Sequence, residues 1–388
     1  MSVLIVEQLT IIEWVLLGAL LAVFLLQVYF YARYMAAPAR RMRSKSPITN
    51  DQSPITEGVS VILCAHNESY NLSHYLQALL TQDYPEYEVI VVDDGSEDDT
   101  RNVVEGYMSC YPDLHLTFVP YGARVGSTKK LALTLAAKAA KYDYLLLTDA
   151  DCVPESDRWI REMMSGFRSS VEIVLGFSPY FETRGHVNCL VRYDTLFNGL
   201  HYMGAALCGH PYMGVGRNLA YRKALFFESG GFTHMMTERA GDDDLFVNHL
   251  ATKQNTAVAV RRESYVWSVP KQTLKEWWQQ KRRHLSVSPA YKSVTKFRLT
   301  LDPLTRGLFY ALVLAALIYP SVHHLIIIGA AVLLFLVRWI MQTAIINVSA
   351  RRMGLRRFSM FSVLWFDIVL PLIDLWMLAI PKRNNKKW

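Results

Sequence analysis

The chain has 388 residues, 52% of them hydrophobic, with 41 Lys and Arg against 34 Asp and Glu for a net charge of +7. Its five cysteines, Cys64, Cys110, Cys152, Cys189 and Cys208, form no C-x-x-C pair, which excludes a disulfide framework or a zinc site and fits reduced cytosolic thiols. The positive charge sits mainly in clusters beside apolar stretches, with no RNA or DNA motif, so it reads as attraction to anionic lipid headgroups and not to nucleic acid.

Leu9 to Phe30 is almost wholly apolar, with one acid, Glu13, and is long enough to cross a bilayer at ~20 residues per span. It lacks the basic start of a signal peptide. Arg33, Arg40, Arg41, Arg43 and Lys45 follow, which places the next segment in the cytoplasm and the N-terminus outside. Residues 1–34 are therefore expected to be a transmembrane helix and 35–57 a basic juxtamembrane linker.

From residue 58 the pattern alternates. Val59 to Cys64 predicts a strand, and Asn71 to Gln82 a helix, with Leu72, Tyr75, Leu76 and Leu79 at helical spacing. Val89 to Val92 is a second strand, ending in Asp93-Asp94-Gly95-Ser96. A helix over Glu97 to Ser109, a strand near Leu114 to Val119 and an Ala- and Leu-rich helix over Lys129 to Lys141 follow. Tyr144 to Leu147 then runs as a buried strand into Thr148-Asp149-Ala150-Asp151. This order predicts an α/β sheet of the doubly wound kind, whose ligands bind beyond the carboxyl ends of the strands.

Asp149 and Asp151, one residue apart at such an end, need a cation or a substrate to be tolerated together. They suit a hard divalent ion, Mg2+ or Mn2+, that takes one or two carboxylates and completes its shell with phosphate oxygens and water. Asp93 and Asp94 are either turn residues or hydrogen-bond acceptors for a nucleoside. The dinucleotide glycine fingerprint and the Walker lysine loop are both absent. Val125-Gly126-Ser127-Thr128-Lys129-Lys130 resembles the latter only superficially, although Lys129 or Lys130 could still approach a phosphate.

Three polar blocks come later. Gly214-Val215-Gly216-Arg217-Asn218 allows close backbone approach to a ligand. Gly241-Asp242-Asp243-Asp244 is either an acidic helix start or the source of one base that takes a proton from a substrate hydroxyl. Trp277-Trp278-Gln279-Gln280-Lys281-Arg282-Arg283-His284 is either an amphipathic interfacial helix or a cation set poised against a diphosphate. The domain is expected to span 58–300.

Residues 301–388 return to membrane-like text, at Leu308 to Tyr319, Leu325 to Ile346 and Phe361 to Ile380. The middle stretch is long enough to span. The last contains Asp367, Pro371 and Asp374, costly in lipid unless they face protein. Two to three spanning or interfacial helices and a basic tail, Lys382 to Lys387, are expected. Because this tail and the group Arg351, Arg352, Arg356 and Arg357 flank the last stretch and both prefer the cytoplasm, either one of these stretches does not cross fully or the charge rule fails here.

Taken in order, Val59 to Glu68, Asp93-Asp94-Gly95-Ser96, Asp149-Ala150-Asp151, Gly216-Arg217-Asn218, Gly241 to Asp244 and Gln280 to His284 closely resemble a membrane-bound family two glycosyltransferase. The resemblance covers roughly residues 57 to 290 and implies a GT-A fold, a mixed doubly wound sheet acting on a nucleotide-diphosphate sugar with inversion. It assigns the donor to Ala65, Asn67, Glu68, Asp93, Asp94, Lys130, Asp149, Asp151, Gln280 and Arg283, with Asp149 and Asp151 also holding the metal. Asp243 is implied as catalytic base, with Asp242 the other register. Gly216, Arg217, Asn218, Asp244 and His284 fall on the acceptor side.

His284 stands where processive synthases of that family have tryptophan in Gln-x-x-Arg-Trp. The implied partners are thus a nucleotide-diphospho-sugar (a UDP-sugar by expectation), the membrane and a lipid, lipid-linked or glycan acceptor. The expected location is a bacterial inner membrane, with the catalytic domain in the cytoplasm. A processive polysaccharide synthase is the alternative enzyme, and an inactive sugar-nucleotide-binding protein the alternative class.

Overall fold

The computed structural model describes residues 9–43, 57–120, 122, 127–235, 240–319 and 323–379. The basic tail, Lys45 and the Val125-Gly126 dipeptide lie outside these residues. The described residues open with α1 (Ile11–Phe30), a π-helical turn over Tyr31–Met35 and the short α2 (Ala37–Arg43). Glu13, the acid of that first apolar stretch, closes a capping box with Thr10 and so sits at the helix start, where it satisfies the Thr10 backbone N–H at 2.6 Å.

The α/β domain begins with β1 (Val59–Ala65), α3 (Ser69–Leu80), β2 (Tyr87–Asp93), α4 (Thr100–Met108), β3 (Leu114–Phe118), α5 (Thr128–Ala139) and β4 (Tyr144–Asp149). These follow the sequence expectation to within a few residues. The largest shift is at α4, where Asp98 accepts from the Thr100 N–H at 3.0 Å and keeps Glu97 to Asp99 in the preceding turn. β1, β2 and β4 are buried along nearly their whole length because helices cover both faces of a parallel sheet.

The chain continues through β5 (Cys152–Pro154), α6 (Trp159–Met164), β6 (Ile173–Leu175), α7 (His186–Leu207), β7 (Leu219–Arg222), α8 (Lys223–Glu228) and α9 (Asp244–Leu250). β8 (Thr256–Val258), β9 (Val266–Ser268) and α10 (Leu274–Leu285) complete the domain. The main sheet has the order β3-β2-β1-β4-β7-β6-β8, and β5 pairs with β9 in a two-stranded sheet. β7 runs antiparallel to both β4 and β6, so the sheet is mixed. The order reverses between β1 and β4, and the carboxyl ends of β1, β2 and β4 open together at that point.

Three long helices follow: α11 (Ser293–Ile318), α12 (His324–Arg352) and α13 (Met360–Ala379). With Ile11–Met35 they make four helices long and apolar enough to cross a membrane, by length and composition. α11 begins well before the apolar stretch at Leu308, since Ser293 to Thr305 continues the helix with exposed Phe297 and Leu304 among polar residues.

Asp367 explains how α13 carries an acid. It is 1% exposed and faces the other helices, with Arg338 Nη1 at 2.9 Å and Arg306 Nη1 at 3.2 Å. Gln342 Nε2 and the Tyr310 hydroxyl also donate to it, each at 2.6 Å, and Arg338 reaches Gln27 of α1 at 3.0 Å. One carboxylate thus joins α11, α12 and α13, and through Arg338 also α1. Asp367→Leu removes the acid and leaves two buried guanidinium groups short of a partner, which should cost ~3–5 kcal/mol. Thermal unfolding in detergent should move to clearly lower temperature, and adding Arg338→Met should recover part of it. An unchanged unfolding temperature for Asp367→Leu alone would refute this account.

Candidate active site

The residues expected to meet the nucleoside lie on the loops that leave β1 and β2. Asp94 N–H donates to Ala65 O at 2.8 Å, and Asn67, with φ at 58°, accepts from the Glu97 N–H at 2.8 Å. Asp93 accepts from the Ser96 N–H at 2.9 Å, which closes the Asp-Gly-Ser turn. Glu68 accepts from Asn71 at 2.5 Å. Burial raises the Asp94 carboxyl above its ordinary range, with the Thr128 hydroxyl opposing that rise. Ala65, Asn67, Glu68, Asp93 and Asp94 therefore form one cradle at the open end of the sheet.

Asp149 closes β4, and Asp151 sits in the turn before β5. Burial alone would raise the Asp149 carboxyl, but Lys129 at 3.0 Å, with Arg217 and Arg283 nearby, holds it below the usual carboxylate range. Lys129 also lies 3.6 Å from Asp242 and so bridges the strand-end carboxylate to the acidic run. Among the described residues no group of three or more His, Cys, Asp or Glu could hold a metal ion. Two carboxylates without a third fit a magnesium-type cation that draws the rest of its shell from phosphate oxygens and water.

The structure places Lys130 elsewhere than the expected donor contact. It is fully buried, and its ammonium donates to the carbonyls of Met235 at 2.6 Å and Ala240 at 3.0 Å. Lys129 is the cation at the carboxylates. Helical spacing carries the reason, because Lys130 shares the buried face of α5 with Leu133, Ala136 and Ala137.

Gly216-Arg217-Asn218 forms a tight turn just ahead of β7. The Asn218 amide is buried and fully engaged. It accepts from Trp159 Nε1 at 3.1 Å and donates to the carbonyls of Phe177 at 2.9 Å and Ser264 at 2.7 Å. Gly216 N–H donates to Asp243 Oδ2 at 2.7 Å, and a Cβ on Gly216 would stand 3.2 Å from that oxygen. The second Asp243 oxygen accepts from the Asp244 N–H at 2.8 Å. Burial and the neighbouring Asp242 push the Asp243 carboxyl up to about 6. Asp244 is also buried, beside Tyr291, and its carboxyl is raised well above the usual range. Each of the three acids therefore has its own surroundings.

α10 presents Gln280, Arg283 and His284. Gln280 Nε2 donates to the Tyr180 hydroxyl at 2.9 Å, and the Arg217 guanidinium lies 4.4 Å above the Tyr180 ring centre. His284 lines the cavity and keeps an exposed surface, and desolvation there with Arg283 and Arg217 pushes its pKa down to about 4. One turn away, Lys281 bridges Asp194 of α7 at 2.9 Å and Asp374 of α13 at 3.0 Å. Tyr180, Asp194 and Lys281 were not singled out as site residues in the sequence, and only the i, i+4 pairing of Trp277 with Lys281 hints at a second functional face of α10.

A cavity of about 570 Å3 opens beside this group. Arg217, Asp243, Gln280 and His284 line one end, and Phe366, Leu370, Leu375 and Leu378 of α13 line the other. It therefore connects the acidic run to a helix of membrane-spanning length.

A mixed sheet with carboxylates at its switch point, joined to apolar helices at both ends, defines a membrane glycosyltransferase of GT-A fold. Residues 20–384 match the family described as glycosyl transferase family 21, and the chain belongs to that family. The resemblance to family two therefore holds at the level of a family-two-like enzyme. Among solved structures, the mannosyltransferase PcManGT from Pyrobaculum calidifontis, in complex with GDP-Man and Mn2+, superposes with a TM-score of 0.56. It is 21% identical and covers 87% of this chain and 99% of its own, which shows the shared fold. The poly-beta-1,6-N-acetyl-D-glucosamine synthase of Staphylococcus epidermidis is 30% identical over 114 residues, 29% of this chain and 26% of that protein. The chondroitin synthase of Escherichia coli is 25% identical over 223 residues, 50% of this chain and 32% of that protein. The chain thus spans less than a third of the length of these curated relatives.

The two adjacent lysines should separate cleanly. Lys130→Ala removes the hydrogen bonds to Met235 and Ala240 and should lower the unfolding temperature. Lys129→Ala leaves the fold intact but changes nucleotide-sugar affinity, because Asp149 and Asp242 lose their shared cation. Equal unfolding and binding behaviour of the two variants would contradict this division.

Proposed function

We propose that the chain transfers a sugar, with inversion, from a nucleoside-diphosphate donor to a hydroxyl of a membrane lipid. The observation that carries this reading is the continuous cavity from Asp243 to Leu375 and Leu378. An acceptor entering from the bilayer along α13 would bring its polar head to Asp243, while the donor lies against the cradle at the ends of β1, β2 and β4. At that end α13 gives the cavity an apolar face through Phe366, Leu370, Leu375 and Leu378, the last two largely exposed, which suits an acyl chain better than a growing polar glycan.

In this reading Asp243 takes the proton of the acceptor hydroxyl as its oxygen attacks the anomeric carbon. The bond to the diphosphate breaks on the opposite face, and the electron pair leaves with the diphosphate. Gly216 N–H and Asp244 N–H fix the orientation of the Asp243 carboxylate. A divalent cation held by Asp149 and Asp151, magnesium or manganese, would supply positive charge to the diphosphate. Lys129 and Arg283 add fixed charge there, and the aligned Gln280 keeps Tyr180 in place. An active domain facing the cytoplasm of a bacterial inner membrane agrees with the basic residues after α1.

Asp243→Asn should lower turnover by ~10²- to 10⁴-fold while leaving donor binding in place. Because the base works ionised and its carboxyl is pushed up to about 6, kcat/KM should fall as pH drops through 6 and level off above it. Asp243→Asn should lose that acidic limb. A normal turnover for the variant would move the base elsewhere.

The acceptor is tested by incubating the protein in lipid nanodiscs with a panel of radiolabelled nucleotide sugars and partitioning the product. Label should enter the organic phase. Leu375→Trp with Leu378→Trp should raise the KM for the lipid by about tenfold or more and leave hydrolysis of the donor by water unchanged. Label in a water-soluble polymer would favour a processive synthase, and no transfer with any donor would favour a binding protein.

A further inference from the structure

Gly216-Arg217-Asn218 contains one charged residue that has no direct ion-pair partner among the described residues. Asn218 anchors the turn and Gly216 orients Asp243, but Arg217 makes no ion pair among the described residues. Its Nη1 is buried without a hydrogen-bond partner. A guanidinium is charged at any working pH and gains most from planar, paired acceptors such as a carboxylate or a phosphate. The guanidinium lies over the face of Tyr180, which holds the group in place without neutralising it.

The sheet register says where this charge points. β7 runs antiparallel to β4 with Leu219 opposite Leu147, so the turn that carries Arg217, just ahead of Leu219, lies beside the end of β4 that carries Asp149. The charges of Arg217 and Asp149 act on one another, and Asp151 adds to the field on Arg217. Asp149 already has Lys129 as a direct partner, so Arg217 is left over at the metal-binding edge. Tyr180 in turn accepts from Gln280, so α10 and the turn before β7 are linked through a single ring.

We propose that Arg217 belongs to the donor site: it binds the diphosphate and carries the negative charge that collects there as the bond to the sugar breaks. This rests on the glycosyl-transfer reading above and changes the acceptor-side role that the motif order implied for Arg217. The bond that breaks joins the anomeric carbon to a diphosphate oxygen, and its electron pair stays on that oxygen facing Arg217. The bond that forms joins the acceptor oxygen to the same carbon, and the proton goes to Asp243. The pairing places cations on the leaving side and the base on the attacking side of one carbon.

The test is calorimetric titration of the full chain in detergent with UDP, GDP, uridine and guanosine, each with magnesium present. The wild-type protein should bind one diphosphate well above its nucleoside. Arg217→Met should weaken that diphosphate on the order of 10- to 100-fold and leave the nucleoside unchanged. Arg217→Lys keeps the charge but loses the fork, and should fall between the two. Unfolding temperatures equal to wild type exclude a folding defect, and if Arg217→Met unfolds early, Arg217→Lys carries the comparison. Wild-type diphosphate affinity in both variants, with only the lipid KM raised, would overturn the proposal and return Arg217 to the acceptor side while the transfer reading stands. A wild-type protein that binds neither diphosphate would overturn both.

Discussion

The site depends on one buried amide. Asn218 takes a hydrogen bond from Trp159 of α6 and gives two to carbonyls at Phe177 and Ser264, so three separate segments meet on a single side chain. A buried amide so engaged is costly to move, because every displacement strands a polar group. The rigidity passes back along the turn to Arg217 and Gly216. Gly216 can hold its N–H on Asp243, and Arg217 can lie over Tyr180, only because the turn between them and β7 has a fixed exit. The bare Cα of Gly176, whose Cβ would stand 2.4 Å from the Asn218 amide, is the space the arrangement needs.

The membrane helices are more than an anchor. Lys281 lies on the same helix as Gln280, Arg283 and His284, and it reaches Asp194 in α7 and Asp374 in α13 together. Trp278 packs edge-on against Trp376 at 5.0 Å between ring centres. The helix that carries Gln280, Arg283 and His284 is thus tied to the helix whose leucines line the far end of the cavity. Asp367 does the corresponding job within the bundle, where it fixes α11, α12 and α13 to one another. Both acids that look expensive in the apolar text of α13 face protein, and each has a basic partner from another helix.

Much of this was legible in the sequence. The runs Val59 to Cys64, Val89 to Val92 and Tyr144 to Leu147 read as buried strands because a parallel sheet covered on both faces needs continuous apolar residues. The acids that end them read as ligand residues because the switch point is where such sheets bind. The reversed direction of β7 was not legible, since Leu219 to Arg222 is four residues long and its partners are far away in the chain. Lys129 and Lys130 look equivalent along the sequence, although helical periodicity separates them by about a quarter-turn. The cavity could not be read at all. It is made by α7, α10, α11 and α13 together, and no local pattern records that four elements distant in sequence leave a gap beside Asp243.

The order of charge across the site explains why the acids do not simply repel one another apart. Asp149, Asp151, Asp242 and Asp243 lie along one edge, and four close carboxylates could not all stay ionised in a half-buried cleft. Lys129 divides them into two sets by standing 3.0 Å from Asp149 and 3.6 Å from Asp242. On the strand side the cations prevail, and Asp149 stays ionised and able to hold metal. On the helix side the acids prevail, and Asp243 is left with a carboxyl near 6 that can both take a proton and give it up. A single lysine between the two sets thus leaves the same residue type suited to the proposed metal ligand at one end and to the proposed proton acceptor at the other. The difference comes from the neighbours of each carboxylate and not from the carboxylate itself.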